Sequence, residues 1–291
     1  MPGKRSPGAL KLRGRAPRFG GLSFGVAGWI SLTAALVFVA CAVAPGLIAP
    51  YDPLAVDPAG AFAPPSLAHP FGTDDSGRDV FSRVIYGARD SLTIGVVATL
   101  VGLILGLGIG VLAGGSRSRA AGPVRYVADR LIEALFSFPG LLLALLVIAV
   151  RGPGVFSIVL AVSLATAPGF ARMIRGSIRQ QLGAGPVDAA RVQGDSPARV
   201  WFTLVLPETM RSVLVLATLG IGHAVILAAA LGFLGLGSPP PTPEWGAMLN
   251  AGRPYLTKAW WMTVFPGLAI VMVGITATVL GRAFQRKERY A

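Results

Sequence analysis

Six long runs of the chain are almost wholly apolar, with charged residues confined to their ends: Phe24–Ala49, Leu92–Gly115, Leu131–Val150, Val155–Met173, Val213–Leu236 and Trp260–Leu280. A helix needs about 20 mainly apolar residues to cross roughly 30 Å of hydrocarbon. The pattern therefore predicts an all-α integral membrane protein with six transmembrane helices. Two polar intervals carry a pattern of their own. In the first, Val80, Phe81, Val84, Ile85 and Ala88 recur on one helical face, which predicts an amphipathic helix lying at the outer surface ahead of the second run. In the second, residues 185–207, Pro186 suits the first helical position and Asp188 complements the positive helix end. Gly194 then supplies the left-handed residue that closes a helix, and Asp195 or Ser196 can cap a second one with Pro197 just inside it. Val200, Trp201, Leu204 and Val205 follow at helical spacing and leave Arg199 and Thr203 to another face. The prediction is two short helices and a turn at 194–196.

Composition agrees with a membrane protein, because 53% of the 291 residues are hydrophobic and only 13% are charged. The formal charge of +13 would point a soluble chain toward nucleic acid, so its distribution decides. With the N-terminus inside, Lys and Arg number six, four, six (counting Arg172 at the inner end of the fourth run) and four in the inner segments, against three, one and two in the outer ones. This is the positive-inside asymmetry, which leaves nucleic-acid binding without separate support. It predicts a multi-pass protein of the cell membrane with both termini, Asp188 and Gly194 in the cytoplasm. Residues 1–23 read as a basic tail near anionic lipid headgroups, 24–49 as the first span, 50–91 as the external segment, 92–281 as a five-helix core, and 282–291 as a second tail. The lone cysteine, Cys41, lies in the first run, so no disulfide can form within the chain; that run reads as an uncleaved anchor.

Within the spans the candidate features are few. Gly102, Gly106, Gly110 and Gly114 stand at strict four-residue spacing, which lets helix backbones approach closely, either within this chain or against a second subunit. Pro139-Gly140, Pro168-Gly169 and Pro266-Gly267 each remove a helical hydrogen bond and permit a kink, fixed or moving. His223 is the one ionisable histidine inside a span, either functional or a hydrogen-bond partner of a neighbouring helix. No P-loop, acidic relay, metal-ligand cluster or nucleophile–base pair is visible.

Three motifs resemble one family. Asp188-Ala189-Ala190, three residues, Gly194 and then Pro207 resemble the Glu-Ala-Ala loop of permease subunits in ABC importers, although an amphipathic helix on the membrane surface would read similarly. The run from His69-Pro70-Phe71-Gly72-Thr73-Asp74 through Gly77-Arg78-Asp79, Ser82-Arg83 and Tyr86-Gly87-Ala88-Arg89 to Ser91-Leu92 closely resembles the start of the membrane domain in the C-type permease subunit of dipeptide, oligopeptide and nickel importers. Gly232-Phe233-Leu234-Gly235-Leu236-Gly237 with Pro239 to Pro243 and Trp245-Gly246 is similar to an outer loop of the same subunit. Two departures stand out: Asp188 replaces Glu, and Gly281-Arg282-Ala283 replaces the usual Gly-Asp-Gly ending.

The resemblance covers roughly residues 69–280. It implies a permease subunit of a type I ABC importer for oligopeptides or dipeptides, with no ATPase site and no cofactor of its own. ATP and Mg would be bound by two partner ATP-binding domains, a homologous B-type permease would complete the pore, and an extracytoplasmic solute-binding protein would deliver substrate. On this resemblance Asp188, Ala189, Ala190, Arg191, Gly194, Trp201 and Pro207 would couple to the ATPase. Asp74, Asp75, Arg78, Asp79 and Trp245 would serve external docking. A permease for nickel or another solute is the near alternative, and an ATP-independent channel or secondary carrier the distant one.

Overall fold

The computed structural model describes residues 26–115 and 122–288; the basic tail expected at 1–23 lies outside them, as do the last three residues of the chain. Helices α1 (Val26–Val43) and α2 (Pro45–Ile48) lead into an irregular segment, followed by α3 (Val80–Gly114), α4 (Gly122–Ser137), α5 (Gly140–Arg151) and α6 (Val155–Leu182). Two short helices, α7 (Gly185–Val192) and α8 (Pro197–Val200), precede α9 (Leu206–Phe233), α10 (Trp245–Gly252) and α11 (Trp261–Glu288). Between α8 and α9, Trp201–Val205 forms a π-helical turn, so Pro197–Phe233 reads as one helical rod of 37 residues. Five helices are long and apolar enough to cross a membrane, and α4 with α5 makes a sixth if the bent pair counts as one span. Among the described residues the regular structure is helical, apart from an isolated bridge between Thr73 and Asp79 in the irregular segment before α3.

Two expectations are corrected. The run Leu131–Val150 is not a straight span, because the chain bends by 91° between α4 and α5. Pro139 caps α5 in an extended conformation (φ −57°, ψ 126°) and cannot donate the hydrogen bond that would continue α4 through it. The amphipathic stretch at 80–88 is likewise not a separate surface helix. It is the first part of the 35-residue α3, which continues without a break into the apolar run. Pro168 and Pro266, by contrast, sit inside helices that continue past them.

The helix α3 is the axis of the bundle and packs along α6 and α9, which also touch one another. The four-residue glycine stripe makes that contact possible. A Cβ at Gly106 would stand 2.6 Å from the Phe170 Cβ and 2.9 Å from the Ala167 carbonyl oxygen; at Gly110 it would meet Ile174, and at Gly114 Ile178. Gly102 faces Thr166 and Ser163. The stripe therefore faces α6 of the same chain, which decides between the two alternatives left by the sequence. Gly108, off the stripe, has nothing within 4 Å of its would-be Cβ.

Candidate functional site

At one end of the bundle the chain between α6 and α9 builds a knob. Val187, Ala190, Val200 and Val205 are buried and join Ile174, Ile178 and Leu182 of α6 in one apolar cluster. That cluster fixes one side of the knob and leaves the other side outward. The α7 helix ends in a turn in which the Asp195 N–H donates to the Ala190 carbonyl (3.0 Å) and the Gly194 N–H to the Arg191 carbonyl (3.1 Å). This glycine-centred closure places Gly194 at φ +86°. Ser196 caps α8, its hydroxyl accepting from the Arg199 N–H, and Pro197 occupies the first turn.

Beyond α8 the chain widens into the π turn. The Leu206 N–H donates to the Trp201 carbonyl, five residues back. Pro207 explains the widening: it has no N–H for the Thr203 carbonyl, and its ring would press on that carbonyl in a regular helix.

The residues singled out in this loop divide by direction. Asp188 and Arg191 are exposed on α7 and pair with one another at 3.0 Å. Ala189, Gly194 and Pro207 are also exposed, whereas Ala190 is buried. Trp201 turns inward, and its ring lies 3.1 Å from a would-be Cβ on Gly115 at the end of α3. Two apolar side chains not anticipated from sequence project outward from the knob, Val192 (89% exposed) and Phe202 (66% exposed). Sequence could have flagged Phe202, which falls between the buried Val200 and Val205 positions.

A second group missed in the sequence braces this end. Asp129 of α4 accepts from Arg175 (2.7 Å) and Arg179 (2.8 Å) of α6, and Arg179 also donates to the Ala113 carbonyl of α3. Both oxygens of Asp129 are engaged, and charge-assisted hydrogen bonds of this kind are stronger than neutral ones. The group ties α4, α6 and α3 together just above the knob.

At the opposite end the external motif forms a knot rather than a docking face. Asp79 caps α3, accepting from the Ser82 N–H and hydroxyl (both 2.7 Å), and its other oxygen lies 3.0 Å from His69 Nδ1. Asp74 accepts from the backbone N–H groups of Ser76 and Arg78 and pairs with Arg83 at 3.6 Å. Arg83 in turn donates to the Pro53 and Pro241 carbonyls (3.0 and 3.3 Å). Trp245 is 1% exposed and donates from Nε1 to the Val84 carbonyl. Asp74, Asp79 and Trp245 are thus buried and engaged within the chain, so the external docking expected of them is not open to these side chains. Arg78 is mostly covered, and Asp75 alone of the five is exposed.

The same knot contains a carboxylate that sequence reasoning passed over. Glu244 is 2% exposed and caps α10, accepting from the Gly246 and Ala247 N–H groups (2.7 and 2.9 Å) and, more weakly, from the Ser91 hydroxyl (3.4 Å). Burial pushes its carboxyl above the usual Glu range, while the two backbone N–H groups and Ser91 pull in the other direction.

Comparison with known proteins gives consistent results. The family described as binding-protein-dependent transport system inner membrane component matches residues 106–290. The di/tripeptide transport system permease protein DppC of Pseudomonas aeruginosa is 40% identical over 252 residues, covering 84% of this chain and 82% of that protein. The glutathione transport system permease protein GsiD of Pectobacterium atrosepticum is 40% identical over 217 residues, covering 75% of this chain and 71% of that one. Among solved structures, an amino acid ABC transporter chain superposes with a TM-score of 0.58 at 18% identity, covering 71% of this chain and 94% of the other. A chain of the MetNI methionine ABC transporter in an inward-facing conformation gives 0.53 at 20% identity, covering 70% and 97%. These structural likenesses concern the fold alone.

Proposed function

From the premise that this chain belongs to the binding-protein-dependent transport system inner membrane component family, as a permease subunit of an ABC importer, we propose that it carries dipeptides or oligopeptides across the cytoplasmic membrane. The observation that carries the mechanism is the knob at 185–207. It is anchored to α6 by buried Val187, Ala190, Val200 and Val205, yet presents Asp188, Ala189, Val192 and Phe202 outward. Such a surface suits a groove on a partner ATP-binding domain, with Gly194 setting its shape and Pro207 its junction to α9. ATP and Mg belong to two such partner domains, so this chain supplies the path and not the hydrolysis. A homologous B-type permease completes the path, and an extracytoplasmic binding protein delivers solute to the opposite end. On this reading both termini and the knob lie in the cytoplasm, which the Lys and Arg distribution supports.

The peptide reading draws on the similar di/tripeptide and glutathione permeases. It is tested by uptake of a labelled dipeptide into vesicles carrying the assembled transporter, with unlabelled tripeptide, glutathione and nickel as competitors. Competition by peptides and not by nickel supports it. Uptake that is competed by nickel alone, or that persists after ATP is depleted, overturns it.

A further inference from the structure

His223 is the ionisable residue in the middle of α9 that neither the knob nor the outer knot uses. Phe233 ends the helix ten residues later, about 15 Å along the axis, which is half the thickness of a roughly 30 Å hydrocarbon layer. On the other side the nearest charged side chain of the helix, Arg211, lies twelve residues away and pairs with Glu208. His223 therefore stands at mid-depth. It is exposed on the bundle surface and has no hydrogen bond or ion pair with another described residue.

The packing of α9 defines the direction in which this imidazole points. On one flank Leu219, Gly222 and Ile226 meet Gly281, Ala277 and Gly274 of α11. On the other, Gly220 meets Phe170 of α6 and Thr99 of α3. A helix advances about 100° per residue, so His223 lies about 60° from Ile226 and about 60° from Gly220. It points out of the crevice between α11 and α6, into the sector this chain leaves uncovered. An ionisable side chain at that depth faces a bundle interior or water rather than lipid, because hydrocarbon satisfies neither its N–H nor its lone pair.

We propose that His223 lines the water-filled path shared with the second permease, where its imidazole offers a donor and an acceptor to the amide groups of a passing solute. The identity of that solute rests on the peptide reading above; the position of His223 does not.

The test exploits the single cysteine. In a Cys41→Ala background the assembled transporter is prepared with His223→Cys, with Ile104→Cys at an exposed apolar site of α3 (68% exposed) and with Asp75→Cys at the outer surface. Each is treated with a charged, water-soluble methanethiosulfonate in the resting state and after trapping with ATP and vanadate. Only a thiolate reacts, and a thiolate forms only where water reaches, so His223→Cys should be modified at least about tenfold faster than Ile104→Cys in one of the two states. Modification should also lower uptake. A His223→Cys thiol that stays unmodified in both states while Asp75→Cys reacts overturns the proposal, as does a rate equal to that of Ile104→Cys. If His223→Cys fails to assemble, Ala230→Cys, seven residues along the same face, is read by the same two outcomes. Labelling requires no solute, so failure of the peptide reading leaves this result intact, and the reverse also holds.

Discussion

Replacing Gly194 separates backbone geometry from side-chain contact at the knob. Its φ of +86° lies in the left-handed region, and a Cβ added there meets nothing within 4 Å. Any penalty is therefore one of backbone conformation. For an L-residue that penalty is roughly 1–2 kcal/mol, and Asn visits the region far more readily than Ala or a β-branched residue. A change of this size shifts the closed turn by a factor of about 5–30. The turn holds the Asp195 and Gly194 N–H groups on the Ala190 and Arg191 carbonyls, so opening it releases the end of α7 and reorients Val192 and Asp188. The expected order of partner retention is Gly, then Asn close behind, then Ala, with Val lowest by about the same 5–30-fold factor. The assay extracts each variant gently from its native membrane and measures the ratio of ATP-binding partner to this chain, with solute uptake in parallel. A Gly194→Val variant that retains the partner and transports normally would refute the reasoning. So would a Gly194→Asn variant as impaired as Val, since that would point to side-chain contact instead of backbone strain.

Two further outcomes follow from the packing and the outer knot. Gly106→Leu should destabilise the solubilised chain by at least about 1–3 kcal/mol, because its Cβ would press on Phe170 and on the α6 backbone, whereas Gly108→Leu on the same helix should be tolerated. Thermal unfolding followed by size-exclusion chromatography distinguishes them, and equal behaviour would sink the close-packing account. Glu244 has a folded-state carboxyl raised by burial, so its contribution to stability is fully present below its ordinary value near 4.5 and is lost as pH rises through the folded-state value. Glu244→Gln should flatten that part of the pH dependence of unfolding; an unchanged slope would remove Glu244 as its source.

Most of the architecture was legible because it rests on local signals. Long apolar runs, the four-residue glycine stripe and the Pro186, Gly194, Ser196 and Pro197 punctuation are local, and the helices, a close-packing face on α3 and the two-helix turn follow from them, whereas the partner of that face, α6, is a long-range matter. The bend at Pro139 was harder to read, since Pro168 and Pro266 stand in similar apolar surroundings and leave their helices continuous. The outer knot was misjudged for a different reason. The docking role expected of Asp74, Asp79 and Trp245 rested on the family resemblance, which carries no information on the burial of their side chains. Their burial depends on partners far along the chain, such as Arg83 bridging Pro53 to Pro241 and Trp261 donating to the Thr73 carbonyl. The Asp129 pairing with Arg175 and Arg179 is equally long-range and left no periodic trace.

On the reading proposed above, the rod from Pro197 to Phe233 would make the knob and the path parts of one lever. Its 37 residues span roughly 55 Å, so a tilt of only about 10° about one end would carry the other end roughly 10 Å. The π turn at Trp201–Val205 is the natural compliance in that lever, because the hydrogen-bond ladder changes register there and Pro207 leaves one carbonyl without its helical donor. A push on α8 can thus be delivered stiffly along α9 or absorbed at the joint, and the stiffness of those five residues sets how much of the stroke reaches His223.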